Sequence, residues 1–353
     1  MSEIDSPSTI ENFPTELWCE VFQFFDAIEL YRIFDDLNSK ITSILSESTP
    51  LYFKIATTES YDFSSYVILP AVNNRANVKS FKFYEEYQIE EFFTHWPINT
   101  FSQLRCLSLV YSGAMMSDCS LVLIEQLSTL PHFERLYIQV GSITQRDQYL
   151  KRLLELIFVE NDGFHSLKHF VFQSIKNSHM LSLPAIKKRT KLELLTLPSL
   201  NRDELVQLLI HIPHIKSIKT NWLYTDFYEP VIITIPALNS TLLNCLHLNV
   251  QLDEQWTFED VEFLLQQVPN VNRLKLTCSI ELINGIKWER LLVVKCSKLR
   301  ILEIVFCSDQ WHINPPSIFT ELQNTFSTRF WQAQNVQFEH KEEIRRWIVR
   351  FNI

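Results

Sequence analysis

Val78–Phe83 reads VKSFKF, Leu104–Leu109 reads LRCLSL and Val271–Leu276 reads VNRLKL: an apolar residue, two variable ones, an apolar, one variable, an apolar. The same spacing returns at Phe133/Leu136/Ile138, Leu167/Phe170/Phe172 and Leu192/Leu195/Leu197, then at Ile215/Ile218/Thr220, Leu243/Leu246/Leu248 and Leu299/Leu302/Ile304. First positions lie 26, 29, 34, 25, 23, 28, 28 and 28 residues apart. The last two members of each trio alternate with a variable residue, as a half-buried strand requires. Stretches of helical spacing lie between the trios, among them Ile89–His95, Arg146–Phe158, Asp203–His211, Glu259–Val268 and Trp288–Lys295. Asn201 or Asp203, and Thr257, stand where such helices would be capped. Strand plus helix at this period predicts an α/β solenoid with a parallel concave sheet and outer helices.

Outward from the trios, Leu51–Ala56 is expected to be a strand, and Asp62 opens a short helix running towards Val72. Past Cys307 the spacing lapses. Ser317–Gln323 is expected to be helical and Phe330–Phe338 to include a strand. The tail, basic at Lys341, Arg345, Arg346 and Arg350, presents Ile344, Trp347, Ile348 and Phe351 as an apolar side that caps the last unit.

The other end is different. Ile10–Leu45 reads IENFPTELWCEVFQFFDAIELYRIFDDLNSKITSIL and predicts three short helices. Phe13-Pro14 precede the first, which Thr15 would cap. Asp26 opens the second, with Leu30, Ile33, Phe34 and Leu37 as its apolar face. Asn38 or Ser39 caps the third, with Ile41, Ile44 and Leu45 inside. In the first helix two apolar sets compete for burial: Leu17, Val21 and Phe24 share one face, while Trp18, Phe22 and Phe25 point partly elsewhere. Each large side chain buried is worth about 1.5–3 kcal/mol. The surplus apolar surface is covered either by the following domain or by a second protein.

Charge is uneven. The net charge is −9, and the first fifty residues hold ten acids against two bases. An acidic chain without a basic run points away from nucleic acid as the main partner. The seven cysteines are scattered, with no Cys-x-x-Cys pair. Met1–Ser8 is polar and acidic, not a signal peptide, and no apolar run reaches the length of a membrane span. The expectation is a reduced intracellular protein, cytoplasmic or nuclear.

Four glycines could hardly build a phosphate loop. The close histidine pairs, His165/His169 and His211/His214, lack the context of a zinc site. No Ser, Cys or Thr sits in a nucleophile motif. The expectation is therefore a protein that is not an enzyme and has no cofactor or metal. Binding is better supported. Strand residues that alternate with the buried ones face the concave side, and eighteen such positions carry Lys82, Arg135, Lys219, Arg273 and Lys275 against one acid. With Tyr137 and His247 they form a candidate surface for an acidic or phosphorylated protein segment.

Two resemblances follow. Phe13-Pro14-x-Glu16-Leu17, Val21-Phe22, Phe25-Asp26, Glu29-Leu30 and Leu37-Asn38 together resemble the F-box, and the nine strand–helix units resemble degenerate leucine-rich repeats. The polar Asn or Cys that family prefers three residues past each trio is matched only by Cys307. The resemblance implies an F-box at residues 10–50 and a repeat solenoid with terminal caps at 51–353. It implies a substrate receptor of an SCF-type cullin–RING ubiquitin ligase, docking on the Skp adaptor, and through it a cullin, by Phe13, Pro14, Leu17, Val21, Phe22, Phe25 and Leu30. The alternative is a repeat scaffold or ligand-binding protein without a ligase role.

Overall fold

The computed structural model describes residues 13–34, 37–55, 67–111, 118–142, 148–161, 163–176, 182–224, 242–307, 315–341 and 346–352. The chain is mixed α/β and divides into two compact units, Met1–Gln139 and Val140–Ile353. Among the described residues no helix is long and apolar enough to cross a membrane.

The first unit opens with α1 (Thr15–Phe22), α2 (Ala27–Phe34) and α3 (Ser39–Glu47). Their starts follow from local chemistry. At α2, the backbone N–H of Asp26 donates to Glu29 Oε2 and that of Glu29 donates to Asp26 Oδ1, both at 3.0 Å. At α3, Asn38 Oδ1 accepts from the Ile41 N–H at 2.9 Å. At α1, Pro14 holds the cap position and Thr15 is already helical, so the cap expected of Thr15 does not form. Strands β1 (Leu51–Ile55), β2 (Val78–Phe83), β3 (Cys106–Tyr111) and β4 (Arg135–Ser142, of which 135–139 belong to this unit) lie side by side in that order. β1 pairs with β2, and β2 with β3, in parallel. Helices α4 (Leu69–Asn73), α5 (Glu86–His95) and α6 (Asp118–Ser128) intervene. β1 joins the trios' frame: Phe53 lies opposite Phe81 and Ile55 opposite Phe83, all buried. The wealth of phenylalanine is spent here, with ring centroids 5.4 Å apart for Phe53–Phe81, 5.0 Å for Phe81–Phe92 and 5.3 Å for Phe83–Phe93.

The second unit holds β5 (His169–Lys176), β6 (Leu194–Leu197), β7 (Leu200–Asn201), β8 (Ser217–Tyr224), β9 (His247–Leu252), β10 (Arg273–Ser279), β11 (Ile301–Cys307), β12 (Gln337–Lys341) and β13 (Arg346–Asn352). Their order is β5-β6-β8-β9-β10-β11-β13-β12, with short β7 beside β8. Pairing is parallel as far as β11. The tail then turns back, β13 running antiparallel to both β11 and β12. Its Trp347, Ile348, Val349 and Phe351 are buried, which closes that end of the sheet as the apolar tail suggested. The helices are α7 (Gln148–Phe158), α8 (Arg202–His211), α9 (Phe258–Gln267), α10 (Gly285–Lys295), α11 (Pro315–Thr325) and α12 (Arg329–Ala333). Asn201 with Glu204, and Thr257 with Asp260, form the capping boxes of α8 and α9. At the start of α10, a Cβ on Gly285 would stand 2.2 Å from the Thr325 carbonyl oxygen, so α10 and α11 approach only because that residue is glycine.

Inward strand positions obey the trio spacing with one exception. Members of the trios that begin at Val78, Leu104, Phe133, Leu167, Leu192, Ile215, Val271 and Leu299 are all buried, none more than 6% exposed. The seventh trio is corrected. Leu243 and Leu246 are 59% and 40% exposed, whereas Cys245, Leu248 and Val250 are sealed. Ile218 lies opposite Leu248 and Thr220 opposite Val250, which fixes this frame. A slip of two residues leaves Leu248 and Val250 on the inner face in either frame, so alternation within the strand alone does not reveal it.

Candidate functional site

Two surfaces carry the candidate residues. The first is the three-helix segment. Trp18 and Phe22, one helical turn apart on α1, point inward and meet Phe34, with centroids 5.5 Å apart for Trp18–Phe22, 5.9 Å for Trp18–Phe34 and 5.2 Å for Phe22–Phe34. Ala27, Ile28, Leu30 and Tyr31 of α2 and Ile41, Ile44 and Leu45 of α3 are buried as well, with α2 lying against β1 and the Tyr31 hydroxyl accepting from Asn74 Nδ2 at 2.6 Å. The competing stripe faces water: Leu17 is 43% and Phe24 87% exposed, with Val21 half-buried between them. Phe13 and Pro14 lie exposed at the foot of α1, where the Lys40 ammonium donates to the Phe13 carbonyl at 2.7 Å.

The expected docking set therefore separates. Phe13, Pro14, Leu17 and Val21 face outward at least in part. Phe25 is half-buried against Phe34, at 5.5 Å. Phe22 and Leu30 are corrected to core residues, 2% and 1% exposed, because two aromatic rings nested on a third bury more area than Leu17 and Val21 could. Ile33 and Leu37, expected inside, are half-exposed one turn apart on and after α2. They add to the exposed apolar side chains of this segment, and apolar spacing alone does not tell which side they face.

The second surface is the outer side of the strands. In the first unit Arg135 is exposed, and Lys82 and Tyr137 are half-exposed. The Lys82 ammonium lies 4.5 Å from the ring centroid of Tyr84. Burial raises the Tyr137 phenol above its usual range, against the pull of Arg135.

In the second unit Lys219 is half-exposed and His247 and Arg273 are exposed. His247 is corrected in register. It stands opposite Ser217 and Arg273, and Asn249 occupies the row between Lys219 and Lys275. Lys275 is not a free cation. Its ammonium lies 2.5 Å from Glu303, which also binds Arg350 at 2.8 Å, and Arg350 in turn pairs with Glu339. Burial disfavours the Glu303 carboxylate, but hydrogen bonds from Lys275 and Arg350 prevail and hold its pKa below the usual value.

A cavity of about 150 Å³ lies at the carboxyl ends of β8–β11, lined by Trp222, Asp253, Cys278, Glu281 and Cys307 among others. Burial pushes the thiols of Cys245 and Cys296 up to about 12, and that of Cys278 higher, so these stay neutral and inert. Among the described residues no three His, Cys, Asp or Glu side chains are grouped to hold a metal. No family model matches the sequence, and no curated protein matches it significantly.

Proposed function

We propose that the chain is the substrate-recognition subunit of an SCF-type cullin–RING ubiquitin ligase. The N-terminal helices would be an F-box docking on the Skp adaptor, and the strand–helix units a leucine-rich-repeat solenoid that holds the target. The observation that carries the reading is the outward stripe of Leu17, Val21 and Phe24, continued by Phe13 and Pro14, on a unit whose own core is already filled by Trp18, Phe22 and Phe34. Covering each large member of that stripe is worth about 1.5–3 kcal/mol, enough in sum to hold a partner subunit. Phe22 and Leu30 serve by fixing the helices and make no contact with the adaptor. The chain forms no bond itself. It raises the local concentration of target lysines at the ligase's ubiquitin-carrying arm.

The test is a pull-down of the full chain by purified Skp adaptor. Wild type should be retained, and Pro14→Ala combined with Leu17→Ala should be retained markedly less. Failure of wild type to bind, or equal retention of the variant, removes the receptor reading.

A further inference from the structure

The cavity at the carboxyl ends of β8–β11 has one wall that strand alternation alone would not supply. Thr220 stands opposite Val250 and Leu223 opposite Leu252, so β8 spends one residue more than β9 between those pairs. That extra residue is a β-bulge, a device that re-aims a side chain. Within it the Thr220 hydroxyl donates to the Trp222 carbonyl at 3.2 Å. Strict alternation from Thr220, which is buried, would turn Trp222 inward. The bulge instead leaves the indole 40% exposed at the cavity and puts Leu223, fully buried, inside.

The charge of the cavity is one-sided as well. Its lining holds Asp253, Glu254 and Glu281 and no Lys, Arg or His. Asp253 is nine-tenths buried, and its Oδ1 accepts from the Gln255 N–H at 3.0 Å. The Glu281 carboxylate has no partner among the described residues. Lys275, two residues before Thr277 of the lining, is already bonded to Glu303 at 2.5 Å. Residues 225–246, 253–257, 280–284 and 308–314, which follow these four strands in the chain, hold six acids and His312 but no Lys or Arg. Residues 140–353 as a whole carry 22 acids and 24 bases, so the imbalance belongs to this end of the strands.

We propose that the cavity binds a guanidinium group, stacked on the Trp222 indole and facing the carboxylates of Asp253, Glu254 and Glu281. A space of about 150 Å³ admits a group of about six non-hydrogen atoms, the size of benzene. A nucleotide or other large cofactor needs more room. Among the described residues no three carboxylate, thiol or imidazole groups are placed to hold a metal ion, which points to an organic cation. One indole, without the further rings of an aromatic cage, suits a planar guanidinium better than a methylated ammonium. The five N–H donors of that group require several acceptors. Gln251 and Thr277, opposite one another on β9 and β10, and Ser279 add neutral oxygens to the carboxylates. Leu252 and Ile280 offer apolar surface to the methylenes that carry the guanidinium. This site goes beyond the proposed function and does not rest on it, since the adaptor takes no part in it.

The test is ligand-observed NMR on the full chain with N-acetyl-arginine amide, its neutral isostere N-acetyl-citrulline amide, and N-acetyl-lysine amide. The arginine probe should bind saturably, about tenfold or more tightly than citrulline and more tightly than lysine, and added salt should weaken it. Trp222→Ala should weaken it about fivefold and Glu281→Gln about threefold or more. Glu281 is exposed, so its variant should keep the wild-type melting curve and reads the site even where Trp222→Ala does not fold. Agmatine and a pool of arginine-centred hexapeptides separate the two sources of the group. Tighter binding of the peptides assigns it to a protein chain, equal binding assigns it to a free small guanidine, and either result keeps the site. Equal binding of arginine and citrulline, lysine bound as tightly as arginine, or an unaffected Glu281→Gln overturns the proposal.

Discussion

Lys82 and Lys275 occupy the same place in the strand frame, each just after the second inward residue of its trio, Phe81 or Leu274. Opposite Lys275 stands Glu303, and the two are bonded. Opposite Lys82 stands another lysine, Lys54. The contrast runs against bulk charge, since residues 1–139 are strongly acidic while residues 140–353 carry 22 acids and 24 bases. In the second unit Lys275 is met within the outer face, through a chain of ion pairs from Lys275 to Glu339. The first has left its lysines facing one another in a unit that has many carboxylates elsewhere. Inward, by contrast, the units are built alike: a sealed apolar row under every strand that follows the trio spacing.

That likeness can be broken first, and with the largest effect. Phe81→Ala should cost about 3–5 kcal/mol and Leu274→Ala about 2–5 kcal/mol in denaturant unfolding, since each empties a fully buried site. A small loss at either would mean that the two inner faces are not equivalent. Next in size is the register of β9. Cys245→Ser should cost about 1–3 kcal/mol by burying a hydroxyl, whereas Leu246→Ser, at a half-exposed position, should stay within about 0.5 kcal/mol. The reverse ranking would restore the Leu243/Leu246/Leu248 frame.

The outer faces differ by less. Glu303→Gln should cost about 1 kcal/mol or less, because Lys275 and Arg350 are partly solvated and screening weakens the pairs. The pH dependence has a definite sign. The Glu303 pKa is depressed in the folded state, so its contribution is complete above the unfolded value of about 4.3 and is lost as pH falls through the folded value. Acid unfolding of wild type followed below about pH 4.5 should therefore be steeper than that of Glu303→Gln. Identical acid profiles would mean that the network adds nothing to stability.

Much of this architecture was legible because period-2 alternation and a near-constant repeat length report burial directly. Even the Lys275–Glu303 pair was within reach. Both residues follow the second member of their trios, so in-register parallel strands must set them opposite one another. Counting bases along the outer face hides such pairing, which lies across strands and not along the sequence. The place of Cys245 is hard to read because a small thiol weighs less than the neighbouring leucines, and Leu248 is inward in either frame. In the three-helix segment, spacing identified both stripes of α1 but not the winner. That was decided by Phe34, whose ring gives Trp18 and Phe22 a nucleus that Leu17 and Val21 do not have. The outward turn of Ile33 and Leu37 follows from the same choice, because Leu30 and Tyr31 face the core instead.

The most direct measurement is a calorimetric titration of purified Skp adaptor into three full-length proteins: wild type, Leu17→Ser with Phe24→Ser, and Lys54→Ser with Lys82→Ser. Wild type and the lysine variant should bind alike, while the stripe variant should weaken about a hundredfold with an unchanged melting curve. Silence from wild type, or three indistinguishable isotherms, would contradict the claim that the outward stripe is a docking surface.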